Sequence, residues 1–325
     1  MKRREFITLA GVVAIAGPLA AHAQQPDRMR RIGVLMGFTE SDREGQAFVA
    51  AFKEGLQKLG WAEGRKIRID TRWEAMQRFA QELVALQPDL ILSNSTPATA
   101  ALLQQTRTIP IVFAAVADPV GSGFVASFAR PGGNVTGFVT IEGSLGGKWL
   151  ELLKEIAPRV ARVALPFNPA TATYAEYYLS PLKAAAASLG VEAIVAPVHD
   201  RSELESVIAA QAREPNSGLV VIPDAFTINH RAEITLLAAR HRLPAVYPYR
   251  DFTELGGLLS YGFDRLENWR GVAGYVDRIL KGEKPADLPV QAPSKYELVL
   301  NLKTAKALDL DVPWILQQRA DEVIE

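Results

Sequence analysis

The 325-residue sequence contains no cysteine. That excludes disulfides, cysteine-ligated zinc and thiol catalysis, and it suits an oxidising compartment as well as a reducing one. No charge of one sign dominates either, since Lys+Arg and Asp+Glu balance at 36 each. No global field therefore draws the chain to nucleic acid or to an anionic membrane. Histidine is scarce, with 4 in all. His230 and His241 share one expected helix but stand eleven residues apart, about three turns, too far to hold one metal. His199 follows a strand and reads more simply as a solvated loop residue than as a cleft residue. Past the N-terminus, no apolar run approaches the roughly 18 residues that a membrane span needs.

Catalytic fingerprints are missing too. There is no G-x-S-x-G nucleophile elbow and no H-E-x-x-H zinc helix. Gly121-Ser122-Gly123-Phe124-Val125-Ala126 fits G-x-G-x-x-[GA], with Glu142 lying 19 residues after Gly123. But Asp118-Pro119 separates these glycines from their strand, and the match falls on the fourth strand rather than on an opening βαβ unit. A loop whose glycines let a helix pack closely is the simpler reading. "GSLGGKWL" offers a Gly-Lys pair, but Glu142 stands where a phosphate loop needs glycine. Trp149 stands where Ser or Thr must hold magnesium. Nothing pairs a nucleophile with a base, and no cofactor or metal site is expected.

What is present begins with a leader. "MKRREFITLAGVVAIAGPLAAHAQQ" has a basic start, an apolar run from Phe6 to Ala21 broken by Pro18, and an A-x-A pattern at Ala21-His22-Ala23. The run is short for a span, and Arg3-Arg4-Glu5-Phe6-Ile7 is similar to a twin-arginine export signal. Residues 1–23 are therefore expected to be a signal peptide, with the mature chain starting near Gln24 and exported to the periplasm.

From Arg31 onward, apolar β-type runs alternate with helical patterns. "RIGVLM", "KIRIDTRW", "PDLILS" and "IPIVFAAV" are strands in the first part. "RVALPF", "VEAIVAPV", "GLVVIPD" and "LPAVYPY" follow in the second, with helical segments between. Phe48, Phe52, Leu56 and Leu59 mark one helix that Gly60 stops, and Gly190 ends another over 172–189. Such alternation means parallel sheets covered by helices on both faces. The break at Arg130-Pro131-Gly132-Gly133-Asn134 divides the strands four and four, so two doubly wound lobes are expected rather than one eight-stranded barrel. The tail from Gly256 to Glu325 also has no place in a closed barrel.

Ligands of open α/β sheets sit at the carboxyl ends of the strands, where helix N-termini offer free N–H groups. Hydroxyls, amides, acids and aromatics cluster at those positions here. They include Phe38-Thr39, Ser93-Asn94-Ser95-Thr96, Asp118, Phe167-Asn168, His199-Asp200, Asp224 and Tyr247-Pro248-Tyr249. That set suits a cleft for a small polar solute with an apolar or aromatic body. Each member also has a plainer use: Thr96 before Pro97 is a good helix cap, Asp118-Pro119 and Asn168-Pro169 start turns, and tyrosines pack lobes together.

Four long stretches carry a resemblance. They are "RREFITLAG" with "AAHAQQ", "STPATAALLQQTRTIPIVFAAVADPVGSGFVASFARPGGNVTGF", "LPAVYPYRDFTELGGLLSYG" and "YVDRILKGEKPADLPVQAPSKYELVLNLKTAKALDLDVP". In them the chain resembles, almost end to end, the tryptophan/tyrosine-type ABC transporter substrate-binding proteins. The resemblance implies a type I periplasmic binding-protein fold, α/β, with two doubly wound parallel-sheet lobes joined by a three-stranded hinge. One lobe would comprise residues 29–137 plus about 261–288, the other 138–260 plus about 289–325. Crossings are expected near Val135–Thr140, Leu258–Gly262 and Leu288–Ala292. The implied function is capture of an amino acid, aromatic or otherwise, or a related acid, by a monomer that serves an inner-membrane ABC permease. Ser95 and Thr96 would seat the ligand's carboxylate, and Asp118 or Asp224 would take its ammonium. Phe38, Phe167, Tyr247, Tyr249 and Tyr261 would wall its side chain, with Thr39 and Asn168 beside them. Many relatives are expected to carry glycine where this chain has Ser95. A sensor subunit read by a signalling partner is the alternative, and an exported α/β hydrolase a more distant one.

Overall fold

The computed structural model describes residues 28–140, 143–293 and 295–325. The expected leader lies outside the described residues, as does Glu142. Within them no helix is long and apolar enough to cross a membrane.

Two separate sheets replace any closed barrel. The first is all parallel, in the order β2-β1-β3-β4-β5, from β1 (Arg30–Met36), β2 (Ile67–Trp73), β3 (Leu90–Ser93), β4 (Ile111–Val116) and β5 (Val135–Val139). Helices α1 (Arg43–Lys58), α2 (Met76–Ala85) and α3 (Thr96–Gln105) connect its strands. The second sheet has the order β12-β11-β10-β9-β8-β6-β7. Its strands are β6 (Arg162–Phe167), β7 (Glu192–Pro197), β8 (Ser217–Val220), β9 (Ala245–Tyr247), β10 (Leu259–Phe263), β11 (Tyr296–Asn301) and β12 (Glu322–Ile324). Among the described residues only its β10–β11 pair is antiparallel. Its helices are α4 (Leu145–Ile156), α5 (Ala175–Leu189), α6 (Arg201–Ala212), α7 (Ala225–Asn229), α8 (Arg231–Arg240), α9 (Arg250–Glu254), α11 (Leu302–Ala307) and α12 (Trp314–Arg319). Four strands do precede the 130–134 break, but the break does not divide the sheets: Val135–Val139, after it, joins the first sheet as a fifth strand, and the tail adds β10, β11 and β12 to the second.

Local chemistry explains the elements. Asp42 caps α1, accepting from the Glu44 and Gly45 N–H groups at 2.9 Å, while Lys58 suits the helix dipole at its carboxyl end. Gly190 ends α5 in the left-handed conformation, φ 63°. The helix expected to carry both His230 and His241 is α8, and these two residues flank it rather than lie in it, because the chain turns at His230 between α7 and α8.

The chain changes sheets after β5, between β10 and α10 (Arg265–Leu280), and again between Gln291 and β11. The last passage runs beside the first: Gln291 N donates to Gly137 O and Val139 N donates to Gln291 O, both at 2.9 Å. Although α10 follows the second sheet in sequence, it packs on the first. Trp269 stacks on Phe48 with centroids 5.3 Å apart and planes 5° apart, and Val272 and Val276 join the same core. At Gly262 on β10 a Cβ would fall 1.8 Å from Pro248 O. Only glycine lets the loop carrying Tyr249 lie so close to the strand.

Candidate functional site

The carboxyl ends of the two sheets face each other across a cavity of about 600 Å³, counting its open mouth.

The first wall is the β3–α3 junction. Ser95, not Thr96, is the helix cap, its Oγ accepting from Ala98 N at 3.3 Å. Thr96 is instead the first helical residue, and its Oγ1 accepts from Ala117 N at 3.2 Å. Asn94 Oδ1 accepts from Gly37 N at 3.4 Å. Gly37 packs closely here, since a Cβ would sit 3.1 Å from both Asn94 O and Ser95 Oγ. In all three side chains a backbone N–H occupies one of the oxygen's two acceptor positions. The two hydroxyl hydrogens and the Asn94 amide hydrogens therefore remain for whatever enters the cavity they line. The first turn of α3 adds little to these donors, since Pro97 has no N–H and those of Ala98 and Thr99 go to Ser95 Oγ and O; it is the side-chain hydrogens that suit an anionic group.

Ser95 has φ 109° and ψ 156°, a region that L-residues other than glycine rarely adopt. The backbone thus gives a physical reason to expect glycine there in relatives, and Ser95 holds its hydroxyl at a cost in strain.

Aromatic side chains form the body of the cavity. Phe38, Phe48 and Trp269 line it from the first sheet's side, Phe38 edge-on to Phe48 at 5.8 Å. Tyr174 and Tyr249 line it from the second. Burial pushes both phenols up, so the tyrosine wall is neutral. Tyr174 donates its OH to Pro223 O at 2.8 Å. Asn229 Nδ2 donates across the seam to Gly37 O at 3.2 Å, which leaves Asn229 Oδ1 as an acceptor on the second wall.

A cation completes the lining. Arg265, the first residue of α10, has its guanidinium 4.0 Å above the Tyr249 ring and 5.3 Å from that of Phe48. Burial works against its charge, but Asp251 and Glu44 beside it hold its pKa above the usual arginine value.

Of the ten residues expected at the site, Phe38, Ser95 and Thr96 line this cavity, and Tyr249 joins them from the wider set of wall candidates. The others stand elsewhere. Thr39 is exposed, its hydroxyl 3.3 Å from that of Ser41. Asp118 folds its own turn, accepting from Gly121 N at 2.8 Å. Phe167 belongs to the second lobe's core. Tyr247 stacks on Phe252 at 5.1 Å, and Tyr261 on Tyr296 at 5.9 Å. Asp224 is fully buried and caps α7, accepting from Asn168 N at 2.9 Å, Phe226 N at 3.2 Å and the Thr171 hydroxyl. Burial raises its pKa, and these hydrogen bonds oppose the rise. Asn168 is tied in turn to His199 O at 3.1 Å and Ala170 N at 2.9 Å. Asp224 and Asn168 therefore hold the second lobe's loops behind the cavity lining.

Sequence reasoning missed Arg265, Asn229, Tyr174, Phe48 and Trp269. Arg265 follows strand β10 at a capped helix start, Asp264 accepting from Glu267 N at 3.1 Å, so the strand-end rule reaches it once β10 counts as a sheet strand. The other motif-like stretches have structural uses. A Cβ on Gly121 would fall 2.0 Å from Asp118 Oδ2, and Gly123 has φ 70°; these glycines shape a turn rather than a helix contact. Gly146 lets α4 approach α5, where a Cβ would lie 2.2 Å from Tyr178 O. His199 is exposed, its Nδ1 2.9 Å from Glu203. Among the described residues no cluster of His, Asp or Glu is arranged to hold a metal.

Known proteins match this architecture over most of its length. A Tyrosine-binding protein from Clostridioides difficile is 26% identical over 293 residues, 87% of this chain and 82% of that one. A conserved domain protein of Vibrio cholerae, known from its crystal structure, superposes with a TM-score of 0.84 at 28% identity, covering 91% of this chain and 100% of that one. An ABC domain from Streptococcus pneumonia in complex with L-Trp gives 0.83 at 24% identity, with the same coverage. The profile described as ABC transporter substrate binding protein matches residues 37–324. The chain belongs to that family, extracytoplasmic solute receptors rather than a class of enzymes, whose members bind a small molecule and work with an ABC permease.

Proposed function

We propose that the chain is exported through its N-terminal leader to the periplasm. There it closes its lobes on an amino acid with an aromatic side chain, or a related acid, for delivery to an inner-membrane permease. The observation that carries this reading is the wall at Asn94, Ser95 and Thr96, where each side chain accepts one backbone N–H and keeps hydrogens to donate, opposite an aromatic enclosure. An acid group at the α3 N-terminus places an aromatic body among Phe38, Phe48, Tyr174 and Trp269. Asn229 Oδ1 on the far wall accepts from an ammonium. The relatives named for tyrosine and solved with L-Trp support the same solute class.

Ligand that binds only the native state raises the melting temperature by mass action. L-Tyrosine, L-tryptophan and their deaminated acids are therefore expected to raise Tm, and native mass spectrometry of protein purified without refolding should show a bound mass in this class. A folded protein that shifts with none of them, and that carries a sugar or a metal instead, overturns the reading.

A further inference from the structure

Arg265 lines the cavity on one side and a solvent-facing groove on the other. Around it lies a cluster of charge that joins the lobes. Asp42 and Glu44 come from the start of α1, Arg231 from α8 and Asp251 from α9. Arg231 bonds Asp42 at 2.6 Å and lies 3.1 Å from Asp251. Arg265 Nη2 donates to Glu44 Oε1 and, at 2.7 Å, to Asp251 Oδ1. One nitrogen thus holds two carboxylates, one from each side of the seam. Three carboxylates share two guanidinium groups, and none of the five side chains is more than 18% exposed.

These charges do not cancel. Glu44 Oε2 is buried and has no hydrogen-bond partner among the described residues. A buried carboxyl oxygen left unpartnered beside a second carboxylate is costly as an anion and is relieved by a proton. Burial pushes Glu44 up, to about 8, against the pull of Arg265, and the charge of Asp251 adds to the push. Arg43, Arg250, Glu254 and Asp264 stand around the adjoining groove, and Tyr249 lies under Arg265. His230 precedes Arg231, its ring on Phe226 at 4.3 Å.

We propose that closing the lobes carries one proton onto Glu44, in its contact with Asp251, so that the receptor holds its solute more tightly in acid than at neutral pH. This rests on the lobes closing over a solute, as proposed above. The sign follows from linkage. A group whose pKa is raised by closure favours the closed form fully below its ordinary value. That advantage is lost as pH rises towards the raised value, here about 8.

The test titrates L-tyrosine calorimetrically into wild type and Glu44→Gln at pH 5.5 and 8.0, in buffers of different ionisation heat. Wild-type affinity should fall about 30-fold or more between the two pH values, with net proton uptake on binding. Glu44→Gln, neutral at both, should keep the acid-side affinity at both and take up no proton. It leaves His230 and the probe's own titration untouched. Small-angle scattering of the free protein gives an arm that needs no ligand: wild type should be more compact at pH 5.5 than at 8.0, and Glu44→Gln equally compact at both. A wild type whose radius of gyration ignores pH and whose tyrosine affinity, if any, does too overturns the latch. So does a Glu44→Gln variant that keeps the pH dependence. Compaction that follows pH without tyrosine binding sinks the solute reading and leaves the proton latch standing.

Discussion

Two loops make the same offer in sequence and use it differently. Both follow a central strand, both open a helix, and both carry a capping side chain, Ser95 after β3 and Asp224 shortly after β8. At Ser95 the polar side chains each accept one backbone N–H and keep hydrogens to donate beside the cavity they line. At Asp224 the carboxylate is consumed by Asn168, Thr171 and Phe226, with nothing left to face a ligand. A polar residue at a strand end is thus a site only when its hydrogen-bonding capacity exceeds what the loop itself needs.

Breaking the loop whose capacity is fully used should have the largest effect. Asp224→Ala strands buried N–H groups at Asn168 and Phe226 and removes a cap, and should cost about 3 kcal/mol of stability in denaturant unfolding. Affinity should change less than stability. A variant that keeps its stability but loses ligand would place Asp224 in the site after all. Next comes the donor wall. Ser95→Ala with Thr96→Ala should weaken tyrosine binding at least tenfold, about 1.4 kcal/mol, while costing about 2 kcal/mol of stability, from the lost cap and the stranded Ala117 N–H. Stability falling with affinity intact would reduce this wall to a cap. The smallest effect sharpens the comparison further. Ser95→Gly relaxes a positive φ and should raise stability by about 1 kcal/mol in the same unfolding assay, yet bind more weakly for want of the hydroxyl. A loss of stability on that change would mean the cap outweighs the strain.

The alternation of strands and helices was readable because period and apolar content are local properties. Phe38, Ser95 and Thr96 were readable for the same reason, since strand-end position is local. The fate of Asp224 was not, because its partners lie 53 and 56 residues away in the chain. Phe48 looked like core from its helical spacing, and it is core on one face. Its other face lines the cavity only because Trp269 and Arg265 return from the second lobe to meet it. Charge balance likewise hid the cluster at Glu44, since a net charge near zero says nothing about where like charges are forced together.

The stacking of Trp269 on Phe48 also bears on the order in which the molecule can be made. During synthesis the first sheet is complete once Val139 has emerged, yet its core still lacks α10, which comes only after nearly all of the second lobe. The early half must wait with Phe48 and Phe52 uncovered while the later half is translated, a period in which exposed apolar surface invites aggregation. A chain interrupted after Phe263 would hold two sheets and no finished first lobe. Completion of the first lobe is therefore settled by the last quarter of the sequence.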